Sequence, residues 1–112
     1  MSIPVLQKIL LEGKTVAWRE AGDGDALVLL HGIGGSSESW KEQLNKLCDR
    51  YRVIAWDMPG YGGSDGFGSF TPNVDAYSNT LAALLNFLDV KKAHILGQSI
   101  AALVAARFCV RN

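Results

Sequence analysis

The sequence predicts an α/β fold: a mostly parallel, doubly wound sheet with an antiparallel hairpin at its N-terminal end. Three short apolar runs are each followed by a segment whose apolar residues have helical spacing. This alternation builds a parallel sheet with right-handed crossovers and helices on both faces. Two further strands precede the first apolar run, and a glycine between them is typical of a hairpin turn. With 112 residues, the chain is expected to form one domain.

The five predicted strands fall into two groups. The hairpin comprises Val5–Leu11 and Lys14–Ala21, and Gly13 supplies the positive φ of its turn. The other three are short strands that we expect to be buried, and the first of them is continuously apolar, as expected for a strand covered on both faces. They are Ala26–Leu30, Arg52–Trp56 and Ala93–Leu96.

A predicted helix follows each apolar strand. The first has Ser36, Ser37 or Ser39 as its cap, and its apolar members are Trp40, Leu44, Leu47, Cys48 and Tyr51. The second begins at Thr71–Pro72, a hydroxyl cap followed by proline. Its apolar stripe consists of Val74, Tyr77, Leu81, Leu84, Leu85 and Leu88. The third spans Ile100–Val110.

Charge and composition exclude several classes of function. Eleven basic and eleven acidic residues are scattered, so the chain has no electrostatic footprint for nucleic acid or an anionic membrane. The N-terminus is too polar for a signal peptide, and the apolar runs are too short to span a bilayer, so we expect a cytoplasmic protein. Cys48 and Cys109 lack metal-ligand spacing. We interpret both as small buried residues and expect no metal and no cofactor.

Glycine-rich loops follow all three apolar strands, at the sheet edge where ligands bind in open α/β folds. They are His31-Gly-Ile-Gly-Gly, Asp57-Met-Pro-Gly-Tyr-Gly-Gly-Ser and Gly97-Gln-Ser-Ile-Ala. Together they resemble the α/β-hydrolase family, with its His-Gly-x oxyanion loop, Asp-x-Pro-Gly-x-Gly-x-Ser loop and Gly-x-Ser-x-Gly nucleophile elbow. The resemblance runs from about residue 15 to residue 110, and is closest to the enol-lactonase and small-ester hydrolase branch. It implies that the strand at 93–96 lies beside that at 26–30, which lies beside that at 52–56.

The resemblance assigns roles to four residues of the third loop and to Ile33 of the first. Ser99 is the candidate nucleophile, on a sharp strand-to-helix turn that exposes its hydroxyl. The backbone N–H groups of Ile33 and Ile100 would form the oxyanion hole. Gly97 and Ala101 must be small because strand and helix nearly touch. The family usually has glycine at the position of Ala101, and we expect alanine to be tolerated there because only a small residue is required.

Neither histidine is expected to act as the catalytic base. His94 lies five residues before Ser99 on the same strand, roughly 16 Å away at about 3.3 Å per residue. We expect it to be a packed core histidine. In the family that the chain resembles, the residues at His31 and Gly32 support the oxyanion loop and the aspartate at Asp57 orders its own loop. The catalytic acid there follows the serine.

Two other interpretations of these motifs are weaker. Ser99 could simply cap the helix that follows it, but the other two loops favour the nucleophile. Gly32 and Gly34 could begin a dinucleotide-binding fingerprint, but Ser37 stands where its third glycine should be.

We therefore expect residues 1–112 to be a single, truncated α/β-hydrolase domain, the N-terminal portion of a serine hydrolase of carboxylic esters, lactones or related carbonyl compounds. No acid or histidine follows Ser99 in this sequence, so the chain alone should be inactive. The expected partners are a small-molecule substrate and, through the unpaired edge of the strand at 93–96, a second copy. Nucleic acid and membrane are not expected. The alternative is a non-catalytic short form or interaction protein built on half of a hydrolase fold.

Overall fold

The computed structural model describes residues 3–66, 74–98 and 101–111, with the side chains of 110 and 111 left out. Five strands, one 3₁₀ turn and three α-helices lie within these ranges. In chain order they are β1 (Gln7–Leu11), β2 (Lys14–Ala21), β3 (Asp25–Leu30), the 3₁₀ turn (Ser37–Trp40), α1 (Lys41–Lys46), β4 (Tyr51–Asp57), α2 (Val74–Phe87), β5 (Ala93–Gly97) and α3 (Ala101–Arg111). Within the described residues, no helix is long and apolar enough to cross a membrane.

The strands form one mixed sheet with the order β1-β2-β4-β3-β5. β3 pairs in parallel with both β4 and β5, whereas β2 pairs antiparallel with β1 and β4. The predicted fold class and the predicted neighbours of β3 are therefore confirmed. In this register Leu30 lies opposite Gly97, and Leu29 lies opposite Ala55. The loops after β3, β4 and β5 consequently begin at the same edge of the sheet.

Each face of the sheet has its own apolar core, because successive side chains of a strand point to opposite faces. On one face α2 and α3 pack against Val28, Ile54 and Trp56. On the other face α1 and the 3₁₀ turn pack against Leu29 and Val53. Complete burial of one such side chain contributes about 1.5–3 kcal/mol, so a shift in the register of β3 or β4 that exposed these side chains would be costly.

The local turn and cap chemistry agrees with the sequence in most places. The hairpin turn has positive φ at both Glu12 and Gly13 (51° and 80°), where only the glycine was predicted to do so. Of the three serines that could cap the first helical segment, Ser36 does so by accepting the Glu38 N–H at 3.1 Å. The Thr71–Pro72 helix start lies outside the described residues.

Three predictions about individual residues are wrong. Val5 is 80% exposed and precedes β1, which begins at Gln7. Tyr51 is the first residue of β4 and not a member of the preceding helix, since α1 ends at Lys46 and its C-cap is Leu47. Cys109, near the end of α3, is exposed, and Cys48, in the connection between α1 and β4, is only half-buried.

Candidate active site

The loop after β3 begins with a tight turn over residues 32–35. The Gly35 N–H donates to the Gly32 carbonyl at 3.0 Å, and Gly34 has a φ of +82°, which glycine adopts without strain. Ile33 occupies the second position, with its side chain 69% exposed. Within the part of the chain that the structure describes, the Ile33 N–H has no hydrogen-bond acceptor. This amide is therefore available to an oxygen outside the described residues.

His31 is completely buried at the start of this loop, and both ring nitrogens are occupied. The Met58 N–H donates to Nε2 at 2.8 Å, which assigns the ring proton to Nδ1, and Nδ1 donates to the Gly32 carbonyl at 2.8 Å. Burial lowers the pKa of His31, although the Gly32 bond and the charge of Asp57 act in the opposite direction. The ring is held neutral and has no free nitrogen with which to accept a proton.

Asp57 joins the loop after β4 to the loop after β3. Its carboxylate is buried, and its two oxygens accept the Ser37 N–H at 2.6 Å and the Gly63 N–H at 2.9 Å. A Cβ at Gly62, whose φ is +51°, would overlap this carboxylate. Ser64 connects this loop to β2 as well, because its hydroxyl donates to the Asp57 carbonyl at 2.6 Å and accepts a hydrogen bond from the Ala17 N–H of β2 at 2.8 Å. Both carboxylate oxygens of Asp57 thus accept hydrogen bonds from the backbone of a loop.

The end of β5 and the start of α3 approach each other closely through backbone atoms. The Gln98 N–H extends the pairing with β3 by donating to the Leu30 carbonyl at 3.0 Å, and the Ala101 N–H donates to the Gln98 carbonyl at 3.1 Å. A Cβ at Gly97 would lie 2.5 Å from the carbonyl oxygen of Ala101, which is itself 1% exposed. Strand and helix therefore touch through backbone, and the methyl of Ala101 is accommodated in the core. Ser99 and Ile100 lie outside the described residues.

His94 is not a core residue, so that prediction is wrong. Its side chain is exposed on β5, and its ring lies edge-on to Tyr51 with the centroids 6.3 Å apart. It shares a face with Leu96, which is 51% exposed. The alternation of β5 places both residues on the α1 side of the sheet, where the described helices do not reach the edge strand.

Sequence reasoning also missed the bond between Arg19 and Ser37, which lies beside the loops that follow β3 and β4. Arg19 of β2 donates from Nε to the Ser37 hydroxyl at 3.0 Å. Ser37 is buried and Arg19 is partly buried, and the two residues are eighteen positions apart. The one signal was an arginine inside a strand that is otherwise well covered.

A large cavity, about 920 Å³, lies at the opposite end of the sheet. It is bounded by the start of β5, α2 and the last turns of α3, with Lys91, His94 and Phe108 among its walls. It contains none of the candidate site residues. Within the described ranges, no cluster of three or more His, Cys, Asp or Glu side chains could hold a metal ion.

Comparison with known proteins identifies the family. A model of the alpha/beta hydrolase fold matches residues 25–112, so the chain belongs to the α/β-hydrolase family and the resemblance is confirmed. It is 39% identical over 109 residues to an uncharacterised protein of Mycobacterium tuberculosis, covering 94% of this chain and 30% of that protein. It is 35% identical over 95 residues to the 2-hydroxy-6-oxononadienedioate/2-hydroxy-6-oxononatrienedioate hydrolase of Escherichia coli, covering 79% and 33%.

The solved structures agree with this assignment. An alpha/beta hydrolase fold protein from Burkholderia ambifaria superimposes with a TM-score of 0.82 at 29% identity, over 90% of this chain and 37% of that chain. The chain thus spans about a third of the length of the proteins that it matches. Membership of this family and the hydrolases among its relatives support a hydrolase-type function.

Proposed function

We propose that these residues are the N-terminal portion of a serine hydrolase that cleaves a carboxylic ester, a lactone or a related carbonyl compound, with Ser99 as the nucleophile. The observation that carries this proposal is the Ile33 N–H, which has no acceptor among the described residues and lies just beyond the end of β3. β3 is paired with β5, and Ser99 follows the last residue of β5 by two positions. The proposal therefore puts an amide donor and a serine hydroxyl at the ends of neighbouring strands.

The reaction would follow from this juxtaposition. The Ser99 hydroxyl attacks the carbonyl carbon while a base takes its proton, and the tetrahedral oxyanion accepts hydrogen bonds from the Ile33 and Ile100 N–H groups. The leaving alcohol departs with a proton returned by the base, and water then releases the acyl group. Removal of one oxyanion donor costs about a hundredfold or more in kcat, so the position of the Ile33 amide matters for the rate.

The base and its orienting acid are proposed to come from residues outside this sequence. His31 has both nitrogens bonded to backbone, and His94 is five positions before Ser99 on an extended strand. Residues 100–112 contain no Asp, Glu or His. A serine hydroxyl without an adjacent base is a weak nucleophile, and the isolated chain should therefore turn over esters only marginally.

The proposal is tested with the full-length gene product that contains these residues, assayed for hydrolysis of p-nitrophenyl acetate and of a simple lactone. Ser99→Ala should lower kcat by about a thousandfold or more. Ser78→Ala is the matched control, because this α2 serine is buried and its hydroxyl bonds to none of the described residues, so alanine should leave the rate unchanged. Equal hydrolysis by Ser99→Ala and wild type would overturn Ser99 as the nucleophile, whereas no hydrolysis of either substrate would favour the non-catalytic alternative.

A further inference from the structure

Arg19 connects β2 to the segment that follows the turn at residues 32–35. Its guanidinium is mostly buried, with the side chain 12% exposed. Besides the Nε bond to the Ser37 hydroxyl, Nη1 donates to the Pro4 carbonyl at 2.6 Å and Nη2 lies 3.4 Å from a Glu38 carboxylate oxygen. The planar, forked donors of arginine suit such a site, because several acceptors can be bound at once in fixed directions.

Ser37 is the point at which two sets of bonds meet. Its hydroxyl accepts from Arg19 at 3.0 Å, while its backbone N–H donates to Asp57 at 2.6 Å. Ser37 lies two residues after Gly35, which closes the turn, and it is 1% exposed. The turn is thus anchored at one end by His31, through its bonds to Gly32 and to Met58, the residue after β4, and at the other end by Ser37.

From this arrangement we propose that Arg19 is a positioning residue for the Ile33 amide, acting through Ser37. The inference rests on the proposed function and extends it to a residue far in sequence from the loop that begins at His31. An oxyanion donor is effective only when it is held about 2.7–3.1 Å from the developing charge before the reaction starts. Displacements of about 1 Å can cost up to a hundredfold in rate. Loss of Arg19 leaves the buried Ser37 hydroxyl without its donor and weakens the anchoring of one end of the turn, where the Ser37 N–H bond to Asp57 remains.

Arg52 provides a matched control within the same pair of strands. Its Nε donates to Glu20 at 2.7 Å and its Nη1 donates to the Leu88 carbonyl at 3.1 Å, with the side chain 27% exposed. It lies opposite Ala26, near the start of β3, and so at the far end of the sheet from the turn. Arg52→Ala therefore removes a comparable set of hydrogen bonds without affecting the loops that follow β3 and β4.

The experiment compares Arg19→Ala, Arg19→Lys and Arg52→Ala in the full-length gene product. Hydrogen exchange of peptides covering residues 32–37 and the kcat and KM for p-nitrophenyl acetate are both measured. Arg19→Ala should speed exchange in these peptides and lower kcat about tenfold or more, with KM within about twofold of wild type. Arg19→Lys should recover part of kcat, because an ammonium group can replace some of the lost bonds. Arg52→Ala should match wild type in both measurements.

The outcomes separate this inference from the proposed function. If the wild type hydrolyses no ester, the proposed function fails, and faster exchange at residues 32–37 in Arg19→Ala alone still supports the positioning role. Unchanged exchange and a kcat equal to that of Arg52→Ala overturn the inference. Should Arg19→Ala fail to fold, Ser37→Ala removes only the acceptor hydroxyl and should lower kcat in the same direction. An unchanged kcat in Ser37→Ala likewise overturns the inference.

Discussion

Gly97→Ala tests the contact between β5 and α3, on which the proposed role of Ser99 depends. The added Cβ would lie 2.5 Å from the Ala101 oxygen, 2.7 Å from the Ala101 carbonyl carbon and 2.8 Å from the Ala102 nitrogen. All three are backbone atoms, so no side chain can rotate away and the first turn of α3 must move by roughly 1 Å. Overpacking of this kind costs about 1–3 kcal/mol. The lower entropy of the unfolded alanine chain offsets about 0.4–1 kcal/mol of that cost.

We therefore expect Gly97→Ala to lower the free energy of unfolding by about 1–2 kcal/mol. The assay is urea unfolding of the full-length gene product, together with the rate of Ser99 labelling by a fluorophosphonate, which should fall because the nucleophile is displaced with α3. Gly66→Ala is the control, since among the described residues its Cβ would meet only the Gly60 Cα, at an ordinary 3.7 Å. If Gly97→Ala is as stable and as reactive as Gly66→Ala, the close approach of strand and helix is not required.

The remaining predictions concern the buried polar groups and the open sheet edge. Asp57→Asn keeps one acceptor oxygen but presents an N–H₂ group to the other backbone donor. Urea unfolding should therefore show that the free energy of unfolding falls by about 2–4 kcal/mol. A loss under about 1 kcal/mol would contradict the account in which both carboxylate oxygens bind loop backbone. The pKa of His31 is lowered in the fold from 6.5, so its contribution to stability is complete above that pH and declines on acidification towards the folded-state pKa, with a slope of at most about 1.4 kcal/mol per pH unit. The change in unfolding free energy with pH should be smaller in His31→Gln than in wild type when both proteins are unfolded in urea between about pH 5 and 7.5. Equal slopes would refute a lowered pKa of His31 in the fold. We also expect the 112-residue chain to self-associate through β5, where Leu96 is exposed. In analytical ultracentrifugation Leu96→Lys should lower the average mass and Leu10→Lys, on the opposite edge strand, should not; equal effects contradict the use of β5.

The sequence was sufficient for features that depend on local chemistry or on long apolar runs. The three parallel strands were recognised by their short apolar runs, and the signal was clearest for β3, because continuous apolar residues are needed where both faces of a strand are covered. The hairpin turn at Gly13 and the serine cap before α1 were predicted from the residues that such backbone conformations require.

Features that depend on neighbours from distant parts of the chain could not be predicted. His94 has the same residue type and strand context as a core histidine, and its exposure follows only from the edge position of β5. Tyr51 fits the helical spacing of its predecessors, yet β3 pairs with it and makes it a strand residue. The bond between Arg19 and Ser37 joins residues that no local pattern relates.

The central claim is that Ser99 is a nucleophile whose base lies outside these 112 residues. Fluorophosphonate labelling followed by peptide mass spectrometry tests it directly, with the full-length gene product and the isolated chain compared side by side. We predict stoichiometric labelling of Ser99 in the full-length protein and only marginal labelling of the isolated chain. Rapid, stoichiometric labelling of the isolated chain that is lost in both Ser99→Ala and His31→Ala would contradict the claim, because it would make His31 the base.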